Sequence, residues 1–216
     1  MRRFRGWPAE ALEFYDGLEA ENTKAYWQRH RHEYDTLVRE PMEALLTELE
    51  PNWGEWRIFR PYRDVRFSVD RSPYKTHIGA VIGDGYIQLG AEGMAAGSGM
   101  WEMAPDQLER YRGAVDSPRA GVSLERIVEE VRRLGFETTG RGMLKTTPRG
   151  YPRDHPRIAL LRYRGLAAWK AWSTGAWLGT HRAKDRIEVF FRASEPLNEW
   201  LHGHVGPSRL PDDPRR

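Results

Sequence analysis

"THIGAVIGDGYIQLGAE", residues 76–92, decides the fold class. Two runs rich in β-branched and aromatic residues flank a Gly-Asp-Gly punctuation. Asp84-Gly85 between such runs is the strongest short-range hairpin signal a sequence offers. The spacing predicts two antiparallel strands with the tip at Asp84-Gly85. Upstream, "DVRFSVD" alternates without error: Asp64, Arg66, Ser68 and Asp70 fall on one face, and Val65, Phe67 and Val69 on the other. A period of two reads as a half-buried strand. "RSPYK" then breaks it as a turn, because proline has no N–H to give a ladder.

Outward from these strands the period lengthens. Pro8 suits a first helical position, followed by Leu12, Tyr15 and Leu18 near helical spacing. Asn22 is placed as the N-cap of a second helix, whose stripe is Tyr26, Trp27, Tyr34 and Leu37. Pro41 and Pro51 bracket a third piece carrying Leu45, Leu46 and Leu49. After the strands, Leu108, Tyr111 and Val115 share a face. Ser123 is read as the cap of a helix with Leu124, Ile127, Val128, Val131 and Leu134, ended by Gly135. Residues 141–156 read as loop. Asp154 is placed as the cap of a short helix holding Ile158, Leu160 and Leu161, and Trp169 and Trp172 as helical core residues. Ser194 and Pro196 are taken to start a last helix with Leu197, Trp200 and Leu201. Helices, then antiparallel strands, then helices make an α+β fold: a single domain, residues 1–205, with a curved antiparallel central sheet covered by N- and C-terminal helices. Residues 206–216 are expected to form a loose C-terminal tail.

Composition narrows the function classes. No cysteine occurs among the 216 residues, which rules out disulfides, thiolate chemistry and sulfur-based zinc sites. The N-terminus has basic residues with no apolar run behind them, and no stretch approaches a membrane span, so a cytoplasmic protein is expected. "GMAAGSGMW" fits neither a dinucleotide fingerprint nor a P-loop, and a bulged strand is its reading. Ser98 lacks a nucleophile elbow. The seven histidines are scattered without a metal-ligand motif. No metal, cofactor or catalytic residue is assigned.

Charge is the informative feature. Residues 57–77 hold six cations against Asp64 and Asp70, a local +4. Residues 141–164 hold seven against Asp154, a local +6, in a chain of net +3. Cations two apart on a strand repel by roughly 2–3 kcal/mol at an effective dielectric of 20. Alternating Asp64 with Arg66 relieves that repulsion and leaves Arg60, on the same face, and Arg63, on the other. Arginine forks suit carboxylate or phosphate. Arg60, Arg63, Arg66 and Lys75 are therefore candidate anion clamps. Asp64 and Asp70 would orient them, with one as a base where chemistry occurs. Arg149 and His155 of the second basic segment are the candidate second wall. The alternative is a purely structural ion-pair network with helix glutamates.

Three segments carry a resemblance. "RDVRFSVDRSPYKT", residues 63–76, resembles the signature R-D-x-R-F-x-x-D-[KR]-x-P-Y-K-T of the domain-of-unknown-function 2461 family, which adds Tyr74 to the candidate ligand-binding residues. "LEAENTKAYWQRHRHEYDTLV" is similar to that family's N-N-x-x-W-F helix, with Glu21 for the first asparagine and Tyr26-Trp27 for Trp-Phe. "PRGYPRDHP" resembles its P-K-G-y-x-x-x-H-P loop, with Arg149 for lysine. The likeness spans most of residues 4–205. It implies a one-domain α+β fold and a soluble intracellular protein, and it brings no reaction with it. Three functions stay open: binding of, or action on, a phosphorylated or other anionic small molecule; an interaction or scaffold protein; and nucleic-acid binding, for which no reading motif is present.

Overall fold

The computed structural model describes residues 3–66 and 70–211. Helix α1 spans Glu10–Ala20 and α2 spans Lys24–Glu33. A π-helical segment, Tyr34–Arg39, leads into α3, Glu40–Trp53. Strands β1 (Trp56–Ile58), β2 (His77–Ile82), β3 (Gly85–Gly90) and β4 (Gly93–Met100) follow. Next come α4 (Pro105–Asp116), α5 (Pro118–Arg133), β5 (Glu137–Thr139), the single turn α6 (Ile158–Leu161), β6 (Leu166–Ser173) and α7 (Arg182–His204). The strands form a six-stranded sheet in the order β1-β2-β3-β4-β6-β5, with β1/β2, β2/β3 and β5/β6 antiparallel. Helix α3 packs on β1 and β2, and α5 on β5. The α+β class with an antiparallel sheet flanked by helices is as expected.

Residues 1–96 and 171–190 form one compact unit, and residues 97–170 and 191–216 a second. In the first, Trp7, Phe14, Tyr15, Leu18, Val38, Met42, Leu45, Leu46, Leu49, Ile78 and Ile82 are buried. In the second, Tyr111, Val115, Leu124, Val128, Leu161, Leu166, Leu197 and Trp200 are.

The hairpin forms where the turn dipeptide and its flanking β-like runs put it, with its turn one residue earlier. Ile82 faces Gly85, so Gly83 and Asp84 are the two turn residues. Gly83 takes φ 50°, and a Cβ there would lie 2.1 Å from the Trp53 carbonyl oxygen. Glycine at the first turn position answers both demands. "GMAAGSGMW" is strand β4. A Cβ on Gly97 would meet the Trp169 ring at 3.0 Å, so the glycine is there for close approach to β6.

Local competition moves several boundaries. Thr23, not Asn22, caps α2, its hydroxyl accepting from the Tyr26 N–H at 3.1 Å. Pro41 does not begin a separate helix. It follows the π segment directly, and its missing N–H and its ring against the carbonyl four residues back suit a register change at that point. Val38 rather than Leu37 is the residue buried there. Ser117 caps α5 six residues before Ser123, with Pro118 as the first helical residue. Helix α7 starts twelve residues before Ser194 and carries Pro196 inside. Trp169 and Trp172 stand on β6, not on a helix. Residues expected as tail are hydrogen-bonded to α4: Gln107 donates to the Gly206 carbonyl, and Asp106 accepts from the Arg209 N–H at 2.8 Å.

Candidate functional site

The segment leaving β1 is closed by backbone pairing. Tyr62 and Tyr74 form an isolated antiparallel bridge. The Arg63 N–H donates to the Pro73 carbonyl at 2.9 Å, and the Lys75 N–H to the Pro61 carbonyl at 2.8 Å. The described residues between Arg63 and Pro73 thus make a loop with a zipped neck. The expected strand over 64–70 is not formed by its described residues: Asp64 and Val65 are irregular, and Arg66 is in a turn. Phe67, Ser68 and Val69 lie outside the described residues. Asp64 accepts the Arg66 N–H at 3.2 Å, and Asp70 accepts the Ser72 N–H at 2.9 Å. Such side-chain to backbone bonds offer the chain a turn in place of a ladder. The common face proposed for Arg60, Asp64, Arg66 and Asp70 loses its basis with the strand.

The neck is held from α2. Asn22, freed from capping, donates its amide to the Tyr74 carbonyl at 3.0 Å and accepts the Tyr74 N–H at 3.1 Å. Its side chain therefore imitates a strand neighbour. Tyr74 itself is buried, its ring stacked on Trp27, and Tyr62 closes a third side at 5.3 Å from Tyr74.

Within the loop the charges are satisfied locally, not by helix glutamates. Arg66 forks the Asp64 carboxylate, with Nη2 to Oδ2 at 2.6 Å, and Arg63 pairs with Asp70. These bonds hold Asp64 down at about 2, and the Ser72 hydrogen bonds, followed by Arg63, hold Asp70 far below the usual carboxylate range. Both pairs are exposed, so they order the loop more than they stabilise the protein. Arg60 and Lys75 differ. Neither makes a salt bridge among the described residues. Burial, then the Arg60 charge, pushes the Lys75 ammonium down. Lys75 rests its Nζ 5.3 Å from the Phe59 ring centroid.

Arg60 borders a cavity of about 350 Å³. Trp27, Tyr34, Phe59 and Tyr62 give it aromatic walls, and Arg31, Arg39 and Arg60 give it cations, with Asp35 as the one carboxylate lining it. Arg31 lies 3.6 Å from Asp35, and Arg39 is 2.9 Å from Glu43. Burial pushes the Tyr34 phenol up to about 12, so it is a neutral hydroxyl at physiological pH. Sequence reasoning reached Arg60 but missed Arg31, Asp35 and Arg39. Residues eight apart on an α-helix stand about 80° apart. The π segment, with its wider i→i+5 bonds, turns less per residue and brings Arg31 and Arg39 to one cavity. Among the described residues no group of three His, Asp or Glu side chains is placed to hold a metal. No helix among them is long and apolar enough to cross a membrane.

The family model of conserved hypothetical proteins designated DUF2461 matches residues 10–200. The chain belongs to the DUF2461 family. Comparison with curated proteins and with solved structures returned no match.

In this DUF2461 chain the remaining two candidates, Arg149 and His155, belong to the second compact unit. Arg149 is exposed in a turn. His155 is buried, its Nε2 3.0 Å from Asp116 Oδ1 and its Nδ1 accepting the Arg157 N–H at 3.0 Å. An accepting Nδ1 puts the ring proton on Nε2, facing the carboxylate. Both ring nitrogens are thus engaged in fastening the loop to the end of α4. Arg157 completes that fastening, donating Nε to the Val115 carbonyl at 2.6 Å and Nη2 to the Asp116 carbonyl at 3.0 Å. These are the orphan acceptors of a helix C-terminus, where a cation is also favoured by the dipole. Asp154 caps nothing; Arg157 is the residue at the N-cap of α6.

Proposed function

We propose that the protein binds a small anionic molecule in the cavity between the α2–π segment and the Phe59–Tyr62 stretch. One observation carries the reading: Arg60 borders an aromatic-walled cavity and makes no salt bridge among the described residues, while every other described arginine lining it has a carboxylate partner. A guanidinium in this position is a ready fork for phosphate or carboxylate. Four aromatic rings suit a ligand with a flat or apolar body. Among the cluster residues, Lys75 adds a second positive charge beside Arg60. Arg63, Asp64, Arg66 and Asp70 shape the loop that carries Tyr62, and Tyr74 anchors its neck.

Thermal shift against phosphorylated and carboxylated metabolites tests this. A ligand that binds only the folded protein raises Tm in a saturable way. The expected result is a saturable rise in the parent protein that Arg60→Ala removes, with the free variant melting as the parent does. No saturable rise with any anion, or a rise in Arg60→Ala equal to the parent's for every anion that binds, overturns the reading. An interaction protein would give the first of these outcomes. Nucleic-acid binding would appear as an association that weakens steeply with salt.

A further inference from the structure

The second unit carries an independent cavity of about 380 Å³, lined by Lys145, Thr146, Thr147, Arg153, Ile158 and Arg162. From its composition and geometry we infer that it is a binding site for a phosphate-bearing small molecule, separate from the cavity at Arg60.

Arg162 is fixed before any ligand arrives. Its Nε donates to the Leu144 carbonyl at 2.6 Å and its Nη2 to the Lys145 carbonyl at 2.8 Å, while the Leu144 N–H returns a bond to the Arg162 carbonyl at 2.8 Å. The guanidinium therefore has a set direction and keeps Nη1 hydrogens to give. The same three bonds fasten Leu144 and Lys145, the residues that lead into Thr146 and Thr147. Lys145 and Arg153 are exposed, and their side chains make no hydrogen bond or ion pair among the described residues. No carboxylate of the described residues lines the cavity. Three cations with no counter-charge repel one another, and a bound anion relieves that repulsion.

The donor set selects the anion. Three separate cations and two hydroxyls exceed what the two oxygens of a carboxylate can accept. They match the three or more oxygens of a phosphate, with arginine as fork and lysine as point charge. Among the described residues no aromatic ring lines the cavity, so they offer no stacking platform of the kind a single-strand nucleic-acid groove has. That favours a small phosphorylated ligand over RNA or DNA.

Calorimetric titration of the full chain with inorganic pyrophosphate, at fixed ionic strength, tests the inference. Saturable binding is expected, with Kd at least tenfold weaker in the double variant Lys145→Ala/Arg153→Ala. Because neither side chain is bonded within the fold, the double variant should keep the parent Tm. Arg60→Ala should keep the saturable pyrophosphate event that the double variant loses, which separates this site from the first. Absence of saturable binding, unchanged binding in the double variant, or loss of binding in Arg60→Ala would each overturn the inference. So would a single-stranded oligonucleotide that binds with a steep salt dependence where pyrophosphate does not saturate.

Discussion

The Tyr74 ring lies flat on the Trp27 indole, with centroids 4.5 Å and planes 9° apart. That stack joins the end of the signature loop to α2, and Asn22 clasps the same tyrosine by its backbone. The two family-resembling segments, far apart in the chain, are therefore one structural device. Its product is the placement of Tyr62 and Arg60 beside the cavity.

Replacing Asn22 with alanine should leave the Tyr74 N–H and carbonyl without partners. Each buried orphan costs about 1–3 kcal/mol. Both bonds are only part-buried, so urea unfolding should show a combined loss of about 1–3 kcal/mol for Asn22→Ala. Asn22→Asp should retain the acceptor for the Tyr74 N–H but set a carboxylate against the Tyr74 carbonyl, so it should not restore parent stability. An Asn22→Ala protein as stable as the parent would show the clasp to be dispensable.

The loop carboxylates set a pH window. Asp64 titrates at about 2 in the folded chain, below its unfolded value of about 3.9. A depressed folded pKa contributes stability that is present above the unfolded value and is lost as pH falls through the folded one. The Arg66–Asp64 fork should persist through pH 4 and open only as pH approaches 2. Carbon-detected NMR titration of the Asp64 carboxyl should give that low midpoint, and Arg66→Ala should return it to the usual carboxylate range. A midpoint near 4 in the parent would rule out the fork in solution.

Arg157 should not tolerate lysine. The ammonium keeps a charge at the α4 C-terminus but cannot serve the Val115 and Asp116 carbonyls together. Denaturant unfolding of Arg157→Lys should show a loss of about 1–3 kcal/mol. Parent-like stability would mean that charge alone, and not the fork, holds this junction.

Gly83→Ala should destabilise by more than about 1 kcal/mol, the scale of ordinary glycine effects. Its φ of 50° strains an L-residue, and the new Cβ would press on the Trp53 carbonyl. Asp84→Ala, in the same turn, should cost less. Equal losses at the two positions in thermal unfolding would count against the turn assignment.

Sequence alone settled what nearest neighbours decide. The β-like runs flanking Asp84-Gly85 made a hairpin, with its turn one residue earlier, and Leu124, Val128 and Val131 made a helix, because turn residues and helical period are local signals. It also marked Arg60, since a run of six cations is visible without coordinates. It misread the described residues of the 64–70 run, where Asp64 and Asp70 bond the backbone at short range in place of a ladder. Tertiary structure decided the rest. Asn22 meets Tyr74 across 52 residues, and no periodicity reports a contact at that separation. The π segment rotates Arg39 toward Arg31, a change of one bond's reach that leaves the residue spacing unaltered. Arg162 reaches the Leu144 and Lys145 carbonyls across 18 and 17 residues, with α6 between them in the chain. Local hydrogen bonding and hydrophobic period are properties of a short window. A site assembled from several windows exists only when chain closure brings them together.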